Sequence, residues 1–472
     1  MKDLILITLL FLSISASGQL KVGDALSSNM VLQREQPVNI WGMAAPKESI
    51  QVMFDGQKLK TKADAEGKWR VQLEPMKANK NPQTLSIKGK KEDLKLDNVL
   101  IGEVWLASGQ SNMEYSMVPY HEFYLLPKEE DLAYQELQKP ANNMIRVLNC
   151  DRKGRRSEWK VADGESLVKT SQVGYFFGKD LQQKLDVPVG IVTSAIGGTQ
   201  IEAWTTKETY QNDPTFAKEL ERGRGKINGK GPGNWYRTMI APLVPFAFKG
   251  VLWYQGENNC VTTERQYARK FELMVGAWRD AFEQENLPFY YVVLLPYTYS
   301  KDPRPSTKVT AEELPKFRVQ QMEAQKLVPN TEFVIASDLV ASVDDIHPPH
   351  KWTVAERLVR VAMTKSYGDD SVEWSGPRLR GSQTYEDSIV LIFDHCAEGL
   401  TTVKGKQATW FEIAGEDGIF CSAFADISSP TTVKVYHPDV KQPKFVRLGW
   451  HETAIPNLTN SGSMSNIVGN QI

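Results

Sequence analysis

The sequence predicts an α/β protein: a central domain built on a parallel sheet, with a β-rich domain on each side of it. Two observations carry this. Short apolar runs alternate with helix-period segments through the middle of the chain, and strand-like patterning with turn residues precedes and follows that region.

From Gln19 to about residue 97 the pattern is short and strand-like. Val38 to Trp41, Ile50 to Phe54 and Trp69 to Leu73 are apolar or aromatic, and Asp55-Gly56 and Glu66-Gly67 supply turns, as in a small antiparallel sandwich. Between residues 98 and 370 the style changes. The runs Val104 to Ala107, Val189 to Thr193, Gly250 to Tyr254, Phe289 to Leu295 and Phe333 to Ala336 read as strands buried on both faces. Val173, Phe177, Leu181 and Leu185 recur at helical spacing between them, as do Tyr267, Phe271, Met274, Trp278 and Phe282. This alternation predicts helices on both faces of the sheet. Over residues 371–472 strand patterning returns in Ile389 to Phe393, Ala408 to Ile413 and Val433 to His437, which predicts a second β domain.

Residues 1–18 read as a secretory signal peptide. Lys2 gives a positive start, Leu4 to Leu12 form a short apolar run, and Ser13 to Gly18 offer small residues for cleavage. The expected location is therefore secreted or periplasmic, with no membrane anchor, since no later apolar stretch approaches the ~18 residues a spanning helix needs. With 56 basic and 57 acidic residues the net charge is −1, so no global field attracts nucleic acid. The basic clusters Lys88 to Lys91 and Arg152 to Arg156 read as solvated loops. Cys150, Cys260, Cys396 and Cys421 match no metal spacing. Export permits a Cys396–Cys421 bridge, and two buried free thiols fit equally well.

In open α/β sheets the chemistry lies beyond the carboxyl ends of the strands. After Val104 to Ala107 comes Ser108-Gly109-Gln110-Ser111, in which Gly109 permits a tight turn that leaves Ser111 at the start of the next segment. After Val189 to Thr193 comes Gly197-Gly198, where backbone N–H groups can approach a substrate closely. Gln255-Gly256-Glu257-Asn258-Asn259 follows the third run, and Asp344-Asp345-Ile346-His347-Pro348 follows the last. Each has a commoner structural use: a serine caps a helix, glycines make turns, a lone histidine sits at the surface, and Asp344 or Asp345 could cap the next helix. In conjunction, four strand ends deliver a serine, a glycine, an asparagine and a histidine, the inventory that acyl transfer requires.

These residues resemble a known family. Gly109-Gln110-Ser111-Asn112-Met113, Gly197-Gly198-Thr199-Gln200-Ile201-Glu202-Ala203-Trp204, Trp253-Tyr254-Gln255-Gly256-Glu257 and Ile346-His347-Pro348 are similar to the blocks of sialate O-acetylesterases in the SGNH hydrolase superfamily. Asn29 to Arg34 with Trp41-Gly42, and Phe411 to Gly415, resemble that family's flanking β regions, so the likeness spans nearly the whole chain after residue 18. It implies an SGNH-hydrolase-like three-layer α/β/α domain between sandwich-like β domains. Ser111 would be the nucleophile and His347 the base, with either Asp344 or Glu257 orienting the imidazole. The Ser111 N–H, Gly198 N–H (Gly197 as alternative) and Asn259 side chain would form the oxyanion hole. The sequence departs from the family at Asn258, where a serine is usual, and at Arg237, where an asparagine is.

The implied substrate is an O-acetylated sugar or glycan, sialate 9-O-acetyl esters first and acetylated xylan or another glycan second. No cofactor or metal is implied. His347 and His350 bracket Pro348-Pro349, which disfavours the regular helix that would align two ligands. A binding protein that has lost catalysis is the competing class, and the presence of Ser111, Gly198, Asn259 and His347 argues against it. Trp41, Trp69 and Trp204 are expected in the core rather than on a sugar-stacking face.

Overall fold

The structure, a computed structural model, describes residues 19–118, 126–155, 157–303, 309–403, 407–461 and 470–471. The segment 1–18, expected to be a signal peptide, lies outside them.

The central sheet holds six parallel strands: β1 (Asp93–Gly109), β2 (Asn142–Asn149), β3 (Val189–Ala195), β4 (Gly250–Tyr254), β5 (Phe289–Val292) and β6 (Thr331–Val334). Their spatial order is β2-β3-β1-β4-β5-β6, with Lys160–Ala162 antiparallel on the β2 edge. From β1 the chain crosses to β2, returns to β3 between them, and then runs outward through β4, β5 and β6 on the other side of β1. The order thus reverses beside β1, where such sheets open a crevice.

Side-chain alternation divides the sheet between two cores. Val251 and Trp253 of β4 face one cluster, while Leu252 and Tyr254 face the other. Helices cover both faces. Among them are α1 (Ser111–Glu114), α2 (Gln172–Leu185), α3 (Glu257–Val261), α4 (Tyr267–Phe282), α5 (Glu313–Leu327) and α6 (Lys351–Tyr367). Val173 and Phe177 of α2 pack with Val354 and Leu358 of α6, whereas Phe271 and Met274 of α4 pack with Leu314 and Phe317 of α5 on the opposite face. Complete burial of Phe271 and Met274 contributes roughly 1.5–3 kcal/mol each.

The boundary expected near residue 97 falls inside β1. This strand is 17 residues long; it pairs antiparallel with Asn79–Lys88 over its first part and enters the parallel sheet with its second. Ile40, Val52, Trp69 and Leu73 of the amino-terminal region belong to the same core as α4 and α5, so no separate core divides the two. The carboxyl-terminal region has its own core. There Ile389, Leu391 and Val433 of one four-stranded sheet meet Phe411, Ile413 and Val446 of another. Trp69 and Trp204 are buried and Trp41 is half-buried against Phe246, as expected of core residues. All four cysteines are free thiols, so Cys396 and Cys421 are not bridged. Among the described residues no helix is long and apolar enough to cross a membrane.

Candidate active site

Strand register brings three loops level. Ala195 at the end of β3 and Tyr254 at the end of β4 both stand opposite Gly109 at the end of β1. Gly109 has φ +139°, and a Cβ there would lie 2.2 Å from the Tyr254 carbonyl oxygen, so only glycine fits. The backbone then turns at once into α1, with Ser111 as its first residue.

Polar side chains lock this junction. Ser108 Oγ donates to the Ser194 carbonyl at 2.6 Å, and Gln110 Oε1 accepts from Gln255 Nε2 at 3.1 Å and from Gly256 N–H at 3.3 Å. A Cβ placed on Gly197 would be 3.3 Å from Ser111 Cβ, which measures how closely the glycine turn approaches the serine. Ser111, Gly198, Glu257 and His347 all border one open cleft at this end of the sheet.

Among the described residues nothing accepts from the backbone N–H of Ser111 or of Gly198. Gly197 is different: its N–H donates to Glu114 Oε2 at 2.7 Å. Of the two expected glycine donors, Gly198 is therefore the one left for an oxyanion. It has φ +70°, and Asn258 Nδ2 holds its carbonyl at 2.9 Å. The departure at Asn258 thus supports the glycine turn.

Asn259 does not reach the cleft. It is fully buried, its Nδ2 donates to Glu202 Oε2 at 3.1 Å, and its Oδ1 accepts from Ile201 N–H at 3.0 Å and Gln255 Nε2 at 2.8 Å. The turn of α3 aims Asn259 into the protein while Glu257 and Asn258 border the cleft. Glu202, beyond it, is in turn paired with the buried ammonium of Lys270 at 2.7 Å. The oxyanion assignment for this asparagine is corrected accordingly: it ties α3 to Ile201 and Glu202, beyond the glycine turn.

Asp344 is also misplaced for its expected role. Its carboxylate is 67% exposed, accepts from Thr298 Oγ1 at 3.0 Å and lies 3.4 Å from Lys301 Nζ. Glu257 is buried, and its Oε2 has no hydrogen-bond partner among the described residues, while Oε1 accepts from Asn112 Nδ2 at 2.5 Å. Burial pushes the Glu257 carboxyl above the usual range, partly offset by that hydrogen bond and by the Lys351 ammonium. Of the two expected carboxylates, Glu257 is the one on the cleft wall.

His347 is carried on the loop before α6. Asp345 Oδ1 accepts its backbone N–H at 2.8 Å, and the neighbouring Ile346 carbonyl accepts from Asn112 Nδ2 at 3.0 Å. Neither Asp344 nor Asp345 caps α6, whose N-cap is His350. Among the described residues no group of three or more His, Cys, Asp or Glu could hold a metal.

Several residues escaped the sequence reading. Glu114 shares the Ser111 face of α1 by its i+3 spacing and pairs with Arg152, and that relation was open to detection. Arg152, Lys153 and Arg155 were expected in a solvated loop, yet they border the cleft, with Arg155 paired to Asp151 at 2.6 Å. Arg237 is exposed, makes a 3.5 Å contact with Asn234, and does not border the cleft.

Groups of this kind, gathered at the carboxyl edge of a parallel sheet, define a carboxylic ester hydrolase. The family model described as "Carbohydrate esterase, sialic acid-specific acetylesterase" matches residues 101–363, more than half of the chain, and the chain belongs to that family. The human sialate O-acetylesterase is 28% identical over 409 residues, covering 79% of this chain and 76% of its own, and the mouse enzyme is 26% identical with 79% and 78% covered. A solved structure of a carbohydrate acetylesterase from Xanthomonas citri superposes with a TM-score of 0.83 at 31% identity, over 96% of this chain and 99% of that one.

Proposed function

We propose that the protein is an exported serine esterase that removes O-acetyl groups from carbohydrate, with sialate 9-O-acetyl esters as its preferred substrate. The catalytic unit would be an SGNH-type three-layer domain over residues 98–370, between sandwich-like β domains at 19–97 and 371–472, after a signal peptide at 1–18. Helices on two faces of a parallel sheet support the layered reading. The observation that carries the function is the common cleft of Ser111, Gly198, Glu257 and His347.

On this reading His347 accepts the proton of Ser111 Oγ, which attacks the acetyl carbonyl. The Ser111 and Gly198 N–H groups receive the oxyanion, and Glu257 stabilises the imidazolium. The sugar oxygen leaves with the proton from His347. A water molecule, deprotonated by the same imidazole, then cleaves the acetyl-serine ester and releases acetate. Arg152 and Lys153 on the cleft wall suit a sugar that carries a carboxylate.

Another acetylated glycan, such as xylan, is the second reading. Identity to the Xanthomonas carbohydrate acetylesterase is 31%, against 28% to the human sialate enzyme. The test is acetate release from O-acetylated sialic acid, acetylated xylan and an aryl acetate, for the wild type and Ser111→Ala. Loss of about three orders of magnitude or more with the alanine variant is expected on every substrate. Near-normal turnover by it would overturn the mechanism, and the rank of the natural substrates decides between the two readings.

A further inference from the structure

We propose that Lys351, the first residue of α6, is a positioning residue of this site: through Asn112 it ties the segment bearing Ser111 to Glu257 and to the loop bearing His347. The inference rests on the reading of Ser111 and His347 given above.

Lys351 is 1% exposed, which is unusual for a lysine and calls for a partner at its ammonium. Its Nζ lies 2.5 Å from Asn112 Oδ1, and over the rings of Tyr115 and Tyr254 at 5.0 and 5.6 Å from their centroids. Asn112 adjoins Ser111 in sequence. Its Nδ2 donates to Glu257 Oε1 at 2.5 Å and to the carbonyl of Ile346, the neighbour of His347, at 3.0 Å. One amide therefore joins the proposed nucleophile's helix, the carboxylate and the histidine loop.

That amide can bridge in one orientation only. Turned over, Nδ2 would face the Lys351 ammonium, donor against donor, and Oδ1 would face a carboxylate and a carbonyl. Without Lys351, Oδ1 would be a buried acceptor with no donor, and the orientation that holds Ile346 would lose one of its three determinants.

Charge adds a second link. Among the described residues Glu257 is faced by Tyr254 on β4, Cys260 on α3, Tyr267 on α4, Tyr299 and Lys351, with His347 on the same cleft; the Lys351 ammonium draws its carboxyl down. Around Lys351 stand Glu257, Asp345, His350, Tyr115 and Tyr254. An uncharged residue at 351 removes one of the influences that offset the burial of Glu257, so its carboxyl would take up a proton at higher pH.

The test is the pH dependence of kcat and KM on an aryl acetate for Lys351→Gln and Lys351→Met, with Ser111→Ala as control. Glutamine keeps a donor for Asn112 Oδ1 and removes the charge; methionine removes both. The acid limb of kcat should move up by about one pH unit or more in both variants. At the plateau Lys351→Met should lose about tenfold or more in kcat, Lys351→Gln less, and KM should stay within about twofold, because geometry rather than substrate affinity is disturbed. Should the methionine variant not fold, the glutamine variant carries the test. A wild-type limb in a folded variant, or a loss confined to KM, would overturn the proposal while Ser111→Ala remains inactive. An active Ser111→Ala would instead remove the reading beneath it.

Discussion

The Gly197 N–H donates to Glu114 Oε2 at 2.7 Å, so of the two glycines in this turn Gly197 is the one whose N–H is engaged. Glu114 sits one turn along α1 from Ser111, so a single short helix presents the hydroxyl and clamps the turn that bears Gly198. The other oxygen of the carboxylate pairs with Arg152, whose side chain is 58% exposed. The first contact fixes geometry, and the second is an exposed pair of small energetic weight.

Glu114→Ala is accordingly expected to lower kcat by about tenfold or more, because the Gly197-Gly198 turn loses its anchor. Glu114→Gln keeps an acceptor oxygen for Gly197 and should recover most of that loss, and Arg152→Met should resemble the wild type in kcat. Steady-state kinetics on an aryl acetate checks the order. Equal losses in the alanine and glutamine variants would mean that charge, not the N–H contact, matters.

A second expectation separates the two carboxylates. Asp344, exposed and bound to Thr298 and Lys301, should tolerate replacement by asparagine within about threefold in kcat, as surface substitutions away from a site usually do. Glu257, buried on the cleft wall with one oxygen unengaged among the described residues, should not. Glu257→Gln is expected to lose at least about a hundredfold in kcat, in line with the large effect of neutralising the acid that orients a catalytic histidine. The reverse order would return the orienting role to Asp344.

How far the sequence carries can be followed element by element. The segment Tyr267–Phe282 was legible end to end because its apolar residues keep helical spacing and lie on one buried face. By contrast α5 went unread: Glu313, Arg318 and Gln321 share its buried face with Leu314 and Phe317, and polar residues in the core erase the period. The boundary placed near residue 97 marks a real change in patterning, from the half-exposed start of β1 to its wholly buried end. One strand can make that change without a break in the fold. In the site, Ser111, Gly198 and Glu257 were legible as strand-end residues because register levels their three loops, whereas His347 reaches the same cleft on a longer loop past β6. The direction of a side chain on a short turn is not written in spacing. For that reason Asn259 and Asp344 were assigned to a cleft that neither reaches, while Lys351, four residues past His347, went unnoticed.

The last expectation concerns stability against pH. Burial draws the Lys351 ammonium down from 10.5 to about 7, against the pull of Glu257 and Asp345. In the unfolded chain the same lysine keeps its ordinary affinity for protons. Between about pH 7 and 10.5 the unfolded state thus binds more protons at this position than the folded state, and the lysine's contribution to stability must rise with pH across that window. The slope tends to about 1.4 kcal/mol per pH unit in mid-window. Below about pH 7 both states are protonated and the penalty for burying the cation is complete; above 10.5 it has vanished. Urea unfolding of the wild type and Lys351→Met at several pH values from 7 to 10 isolates the contribution, since the other lysines and tyrosines titrate alike in both proteins. The difference in stability, wild type minus variant, should grow more positive as pH rises. A difference that stays flat would mean that the ammonium keeps its proton throughout, held by Glu257 and Asp345 more firmly than burial opposes it.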